Sequence, residues 1–466
     1  MISKSSLSRR QFLHLLGMTA VGTAMAACAP KAEPTKAPEP TKAQAEATKA
    51  PEATKAPEPT KAPEATKAPS GPTTVRLLTT HGATMAPFIA KSLENFAKEH
   101  PEVKVEHEDL TEGYYDRLNV MLASATLPDV VNLRSFDMYD WYRLGNLMNI
   151  SPFFEKDPTV GPKDMVDPIL KSCYFAGSYW GLPYDASVVI FFYNRDMFTK
   201  AGVETPKDTW TRDDMLKTAQ ALTKAGETWG FSSLPVYSGW MAEPWFLSAG
   251  VHMVNEDRTE WTMVGPEAEE TFQFLVDLSL KFKVAPAPGT QTDMNLFVLG
   301  KGAMYCSGQW EIPGNREACK FDWDVAAFPT GPQGHKPITQ GGTYIMYAKT
   351  KVPEAAWKVQ RWICAEKDWQ MNVYGASGYS IPALKSVASE AWLAPIKAGK
   401  PPKNAQMVLD ELEKAVPGSL WPNYWKIDGI MNEEMQKVLL GDATVKEALA
   451  AVKKRADAAI QEALKK

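Results

Sequence analysis

Val75-Arg76-Leu77-Leu78-Thr79, Val103-Lys104-Val105-Glu106-His107-Glu108 and Val130-Val131-Asn132-Leu133 are three short runs rich in β-branched and aliphatic residues. Such residues favour extended backbone. Between the first two, residues 85–98 carry Phe88, Ile89, Leu93, Phe96 and Ala97 at helical spacing and stop at His100-Pro101. Residues 114–124 read as a second helix, and Leu127-Pro128-Asp129 turns the chain into the third run. Strand, helix, strand, helix, strand predicts right-handed crossovers and a mainly parallel sheet, hence an α/β body. In sheets of this kind ligands sit at the carboxyl ends of the strands. That edge holds Thr80-His81-Gly82 and Arg134-Ser135-Phe136-Asp137, so His81, Arg134, Ser135 and Asp137 are site candidates by location.

Downstream the order changes. Residues 179–183 and 188–193 are two extended runs flanking Tyr184-Asp185-Ala186-Ser187, and helices follow at 195–201 and 211–224. Thr211 is placed to cap the second of these, with Asp213 and Asp214 in its first turn. This reads as a crossing into a second α/β lobe. Helices at 267–283 and 294–299 and strands at 303–307, 325–328 and 343–347 continue it, with the return crossing expected at Pro329-Thr330-Gly331-Pro332-Gln333-Gly334. Residues 353–365, 405–415, 427–440 and 445–464 read as helices.

The amino terminus fixes the compartment. Lys4, Arg9 and Arg10 precede an apolar run of Phe12, Leu13, Leu15, Leu16, Met18 and Val21, and Met25-Ala26-Ala27-Cys28 follows. This is the pattern of a cleaved export signal, too short to span a membrane. Ser8-Arg9-Arg10-Gln11-Phe12-Leu13 resembles the twin-arginine signal, with His14 where that pattern has Lys. Ala26-Ala27-Cys28 fits a lipoprotein cleavage box, with Met25 where Leu is usual, so residues 1–28 are read as a signal peptide and Cys28 as the lipidated residue. Residues 29–71 repeat Thr-Lys-Ala-Pro-Glu-Ala/Pro without an aromatic residue, and cannot build a core. They are read as an extended spacer of coil and polyproline II, at ~3.1 Å per residue reaching on the order of 100 Å.

Composition narrows the partners. Lys plus Arg number 51 against 55 Asp plus Glu, a net charge of −4 with no basic cluster, which argues against nucleic acid. Cys173, Cys306, Cys319 and Cys364 show no Cys-x-x-Cys spacing, and His81, His100, His107, His252 and His335 are scattered, so no metal site is expected. Either buried thiols or a Cys306–Cys319 bridge suits an exported chain.

A family resemblance rests on motifs that recur in order. Gly181-Leu182-Pro183 is followed by Phe192-Tyr193-Asn194-Arg195-Asp196-Met197-Phe198-Thr199-Lys200-Ala201-Gly202-Val203, then by Pro206 and Thr209-Trp210. Gly300-Lys301-Gly302-Ala303-Met304 with Gly308-Gln309-Trp310, Phe328-Pro329-Thr330-Gly331-Pro332, and Gly341-Gly342 before a Pro353-Glu354-Ala355-Ala356-Trp357 helix complete the series. Together they resemble the solute-binding lipoproteins of sugar ABC importers, to which maltose-binding protein is related. The resemblance implies a periplasmic-binding-protein-like fold, two α/β lobes around a ligand cleft with hinge crossings. It places residues 72–185 with 333–380 in lobe 1 and 186–332 with 381–466 in lobe 2. It further implies a monomer that takes a di- or oligosaccharide without cofactor or catalysis. The cargo would pass to permease subunits at the outer face of the cytoplasmic membrane.

A sugar offers hydroxyls at its edge and C–H patches on its faces, so its site needs in-plane polar groups and an aromatic platform. Asp185, beside Tyr184, falls where relatives place an acid that accepts sugar hydroxyls; alternatively it orients the hinge. Trp310 matches a stacking aromatic of the family, and Trp240 and Trp245 lie where another platform is common, unless either packs the second core. Gly341 and Gly342 either let a ligand approach or satisfy a turn. Tyr379 and Ser380 are hydroxyl candidates, and Trp421 and Trp425 are further aromatics. Two other readings are a glycoside hydrolase using Asp185 with Glu311, which would need two acids about 5 to 10 Å apart, and a surface adhesin. A hydrolase would cleave the sugar, and an adhesin would prefer polymer.

Overall fold

Alternation of aliphatic residues in the first three runs is realised as three parallel strands in a computed structural model. The structure describes residues 71–157, 159–160, 162–233, 239–287, 293–375 and 380–465. Cys28, the signal, the spacer to residue 70, and Tyr379 lie outside the described residues. Thr73–Thr79 pairs in parallel with Val103–Asp109 along its whole length and with Val130–Arg134 through Leu77 and Leu78. Helices Ala86–Glu99 and Tyr114–Ala123 make the crossovers. The sheet is completed by Gly342–Met346, antiparallel to Val130–Arg134, and by Leu182–Pro183. Val75, Leu77, Leu78, Val130 and Val131 are all at most 1% exposed, since helices and returning chain cover both faces.

The second sheet is organised by one strand, Asp185–Asn194, buried at every position. It pairs antiparallel with Met304–Gly308, Trp323–Ala326, Ile338–Gln340 and Ile381–Pro382. Two sequence expectations are corrected here. Tyr184-Asp185-Ala186-Ser187 is not a link between strands, because Asp185 and Ala186 already pair with Pro382 and Ile381. Residues 338–340, expected in lobe 1, belong to the second sheet, so the return crossing falls at Gly341 and not at the Pro329–Gly334 turn. Residues 329–334 instead form a local turn, with Gly331 and Gly334 bridging each other.

Helix ends follow sequence chemistry. Thr211 accepts from Asp214 N–H while the Asp214 carboxylate takes the Thr211 N–H, and Thr444 with Glu447 repeats this box on the last helix, Val445–Leu464. Gly441 (φ 82°) ends Tyr424–Leu440 in the left-handed conformation, which costs glycine least, so the two C-terminal helices fold back on each other. They also tie to the first lobe: Arg143 donates to the Ala463 carbonyl, and Asn423 N–H to Asp140 at 3.0 Å. Two helices carry internal prolines, Gly239–Leu247 with Pro244 and Lys385–Lys397 with Pro395. Cys306 and Cys319 do not form a bridge; burial raises the Cys319 thiol to about 11, which keeps it protonated.

Candidate functional site

Three chain segments pass from one sheet to the other, at Tyr184-Asp185, Gln340-Gly341-Gly342 and Ser380-Ile381, and Asp185 fastens them together. Its carboxylate accepts the Gly342 N–H at 2.5 Å and the Ser380 hydroxyl. Burial pushes this carboxyl up to about 6, against the pull of those two hydrogen bonds. Gly341 and Gly342 do not adopt positive φ. They are glycines for lack of space: a Cβ on Gly342 would overlap the Tyr184 ring, and one on Gly341 would overlap the Asp185 carbonyl.

Above these crossings opens a cavity of about 310 Å³. Its floor is Tyr184, Asp185, Ser187, Gln340, Gly341, Gly342 and Ser380; one wall is Arg134 and Phe136, the other Trp240 and Trp310. The two tryptophan rings lie 5.1 Å apart at 45°, both half-buried. Trp310 is positioned from both sides. Gly308 has no side chain to occupy the place of the ring, and Gln309 clips the turn to the central strand, accepting from Val188 N–H and donating to the Ala186 carbonyl and Ser187 Oγ. The indole donates to Glu311 at 3.1 Å. An aromatic wall facing a polar floor suits a flat, hydroxylated guest.

Other expected residues stand behind this surface. His81 meets Tyr184 edge-on at 5.3 Å and pairs through Nε2 with the Tyr344 hydroxyl at 3.0 Å. Burial lowers it to about 4, so it is a neutral buttress. Ser135 is buried and gives its N–H to the Gly341 carbonyl. Asp137 accepts from Trp425 Nε1 at 2.8 Å and is raised to about 6 by burial. Trp425 is 48% exposed beside Phe136 and Tyr115, whereas Trp421 is fully buried against Tyr424. Trp245 is corrected from platform to core: it is 2% exposed and packed between Phe328, Phe191 and Phe274. Sequence reasoning missed Phe136, Ser187 and Gln340 as lining residues. Ser187 was accessible to it, because a residue two beyond Asp185 on a strand shares its face.

A larger hollow of about 810 Å³ lies between Lys171–Tyr174 and the segment 250–267. No tryptophan lines it and none of the three crossings reaches it. Among the described residues no His, Cys, Asp and Glu cluster could hold a metal ion, and no helix is long and apolar enough to cross a membrane.

One turn after Trp240, Glu243 is fully buried, with Oε1 accepting the Ser419 N–H at 2.9 Å and no partner for Oε2 among the described residues. Burial raises it from 4.5 to about 7. With the folded value above the unfolded one, the cost of ionising it in place grows as pH rises from 4.5 to about 7 and is absent below that range. Glu243→Gln should therefore be more favourable to stability at pH 8 than at pH 4 by roughly 3 kcal/mol, the cost of burying the new amide entering equally at both pH values. Denaturation at both pH values checks this; an equal effect at both would refute it.

Comparison with known proteins bears on the fold that carries this site. A binding protein of Brucella abortus is 26% identical over 79% of this chain and 90% of its own. A Listeria monocytogenes ABC substrate-binding protein solved with cycloalternan superposes with a TM-score of 0.74 at 26% identity, covering 83% of this chain and 98% of that one. The cyclic α-maltosyl-1,6-maltose binding protein of Arthrobacter globiformis shares the fold, with a TM-score of 0.71 at 19% identity over 84% of this chain and 100% of that one. Since residues 78–367 match the family model of bacterial extracellular solute-binding proteins, the chain belongs to that family, whose members bind a solute and do not transform it.

Proposed function

We propose that this protein is a lipid-tethered receptor that captures a di- or oligosaccharide and delivers it to the permease of an ABC importer. The observation that carries the reading is the half-buried Trp240–Trp310 pair facing a floor of carboxylate, hydroxyl and amide groups. The carbohydrates named for the Listeria and Arthrobacter proteins support the same class of guest. Cys28 carries the anchor, the repeats after it form the leash, and the lobes divide at the crossings near residues 185, 341 and 380. Bound solute touches both lobes and so favours the arrangement that brings them together.

The test is thermal unfolding against a panel of mono-, di- and oligosaccharides with glycerol phosphodiesters as competitors. A cognate sugar at about 100 times its Kd should stabilise the protein by roughly 2.7 kcal/mol, with the sugar recovered intact. A shift only with glycerol phosphodiesters would replace the sugar, and a cleaved sugar would restore the hydrolase reading. Mass analysis of the detergent-extracted protein checks for the acyl group on Cys28.

A further inference from the structure

We infer that Asp428 is a positioning residue of the site: it holds the helix that presents Trp240 and so sets that ring in place beside Trp310. The inference rests on the receptor reading above and follows from the backbone of Gly239–Leu247. A helix sets each carbonyl against the N–H four residues on. For Trp240 that residue is Pro244, which has no N–H to give, so the turn that carries the ring lacks that bond. Contacts from the C-terminal segment do the holding instead. Asp428 Oδ1 accepts the Gly239 N–H at 2.6 Å, and Glu243 Oε1 accepts the Ser419 N–H at 2.9 Å.

The approach is close. A Cβ on Gly239 would stand 2.9 Å from Asp428 Oδ1, so the missing side chain is what lets the carboxylate reach the backbone. Asp428 lies one turn beyond Tyr424 on Tyr424–Leu440, and side chains four apart share a helix face. Tyr424 is stacked on Phe136 at 4.6 Å and 15°, and Phe136 belongs to the wall opposite the tryptophans. One helix therefore braces both sides of the cavity, Phe136 through a ring and Trp240 through a carboxylate. Trp240 is only half-buried, so the turn it stands on fixes where its free face lies. A gap of about 0.5–1 Å already forfeits a quarter to a half of a dispersion contact, so a shift of that turn would be felt by a stacked sugar.

The experiment compares wild type with Asp428→Ala, which removes the acceptor, and Asp428→Asn, which keeps a carbonyl oxygen for Gly239. The probe is whichever of maltotriose, cellobiose, mannobiose or arabinotriose shifts wild-type melting most. Calorimetric Kd is expected to rise about 5-fold or more in Asp428→Ala and to stay within about 2-fold of wild type in Asp428→Asn. Gly239→Ala, which pushes the backbone off the carboxylate, should reproduce the loss. In a Trp240→Ala background Asp428→Ala should cost less than about 2-fold more, a result that a merely structural role would not give. An equal loss in both backgrounds, or an unchanged Kd with a lowered melting temperature, would overturn the inference and leave the receptor reading intact. If wild type responds to no sugar, that reading falls and the inference with it.

Discussion

Gly342→Ala is expected to destabilise the protein by about 3 kcal/mol and to weaken solute binding with it. The added methyl group would occupy the space of Tyr184 Cε1, Cζ and hydroxyl. The ring cannot step aside, because it is stacked on Tyr374 at 4.9 Å, tilted against Tyr344 at 5.2 Å and braced by His81. Nor can the strand, which pairs with Val130–Arg134 on one side and Leu182–Pro183 on the other. Relief requires the Gly342 N–H to leave Asp185, loosening the fastening of all three crossings. Urea unfolding measures the loss, and Tyr184→Leu in the same chain should recover part of it by vacating the space. A loss below about 1 kcal/mol would mean the crossing is more pliable than this packing allows.

Trp310→Ala is expected to weaken sugar binding by about 2 kcal/mol, roughly 30-fold in Kd, with little effect on folding. The ring stands half-buried over Gly308 at the cavity wall, so its face is available to a guest while its removal opens no sealed core. Trp245 offers the contrast. Enclosed by three phenylalanine rings, it would cost the fold and not the site if truncated. Calorimetry against the sugar selected in the melting screen separates these outcomes, and an unaltered Kd would remove Trp310 from the platform.

What sequence reasoning could reach depended on whether information was local. Periodicity and caps are local, so the first three strands, helices Pro353–Ala365 and Val445–Leu464, and the Thr211 cap were legible from neighbouring residues. The helix Gly239–Leu247 was not, since Pro244 contradicts a helical reading. That gap had a functional consequence. Five residues apart on a helix, Trp240 and Trp245 point about 140° away from each other, so one can reach the cleft only if the other faces inward. Without the helix the two were interchangeable. Strand Ile338–Gln340 was likewise illegible, because three residues carry too little pattern to name a partner.

The chain by itself determined the class of the body, the alternation of strand and helix that builds its leading parallel sheet and most of the residues around the cavity. Those features are written in spacing and side-chain type within a few positions. Tertiary structure alone decided the role of each: that Asp185 clasps Gly342 and Ser380, that His81 supports Tyr184 from behind, and that Trp245 turns into the core while Trp240 reaches the cavity. Hydrogen bonds join residues more than a hundred positions apart, and whether a polar group is spent on the protein or left for a guest is settled only when those residues meet.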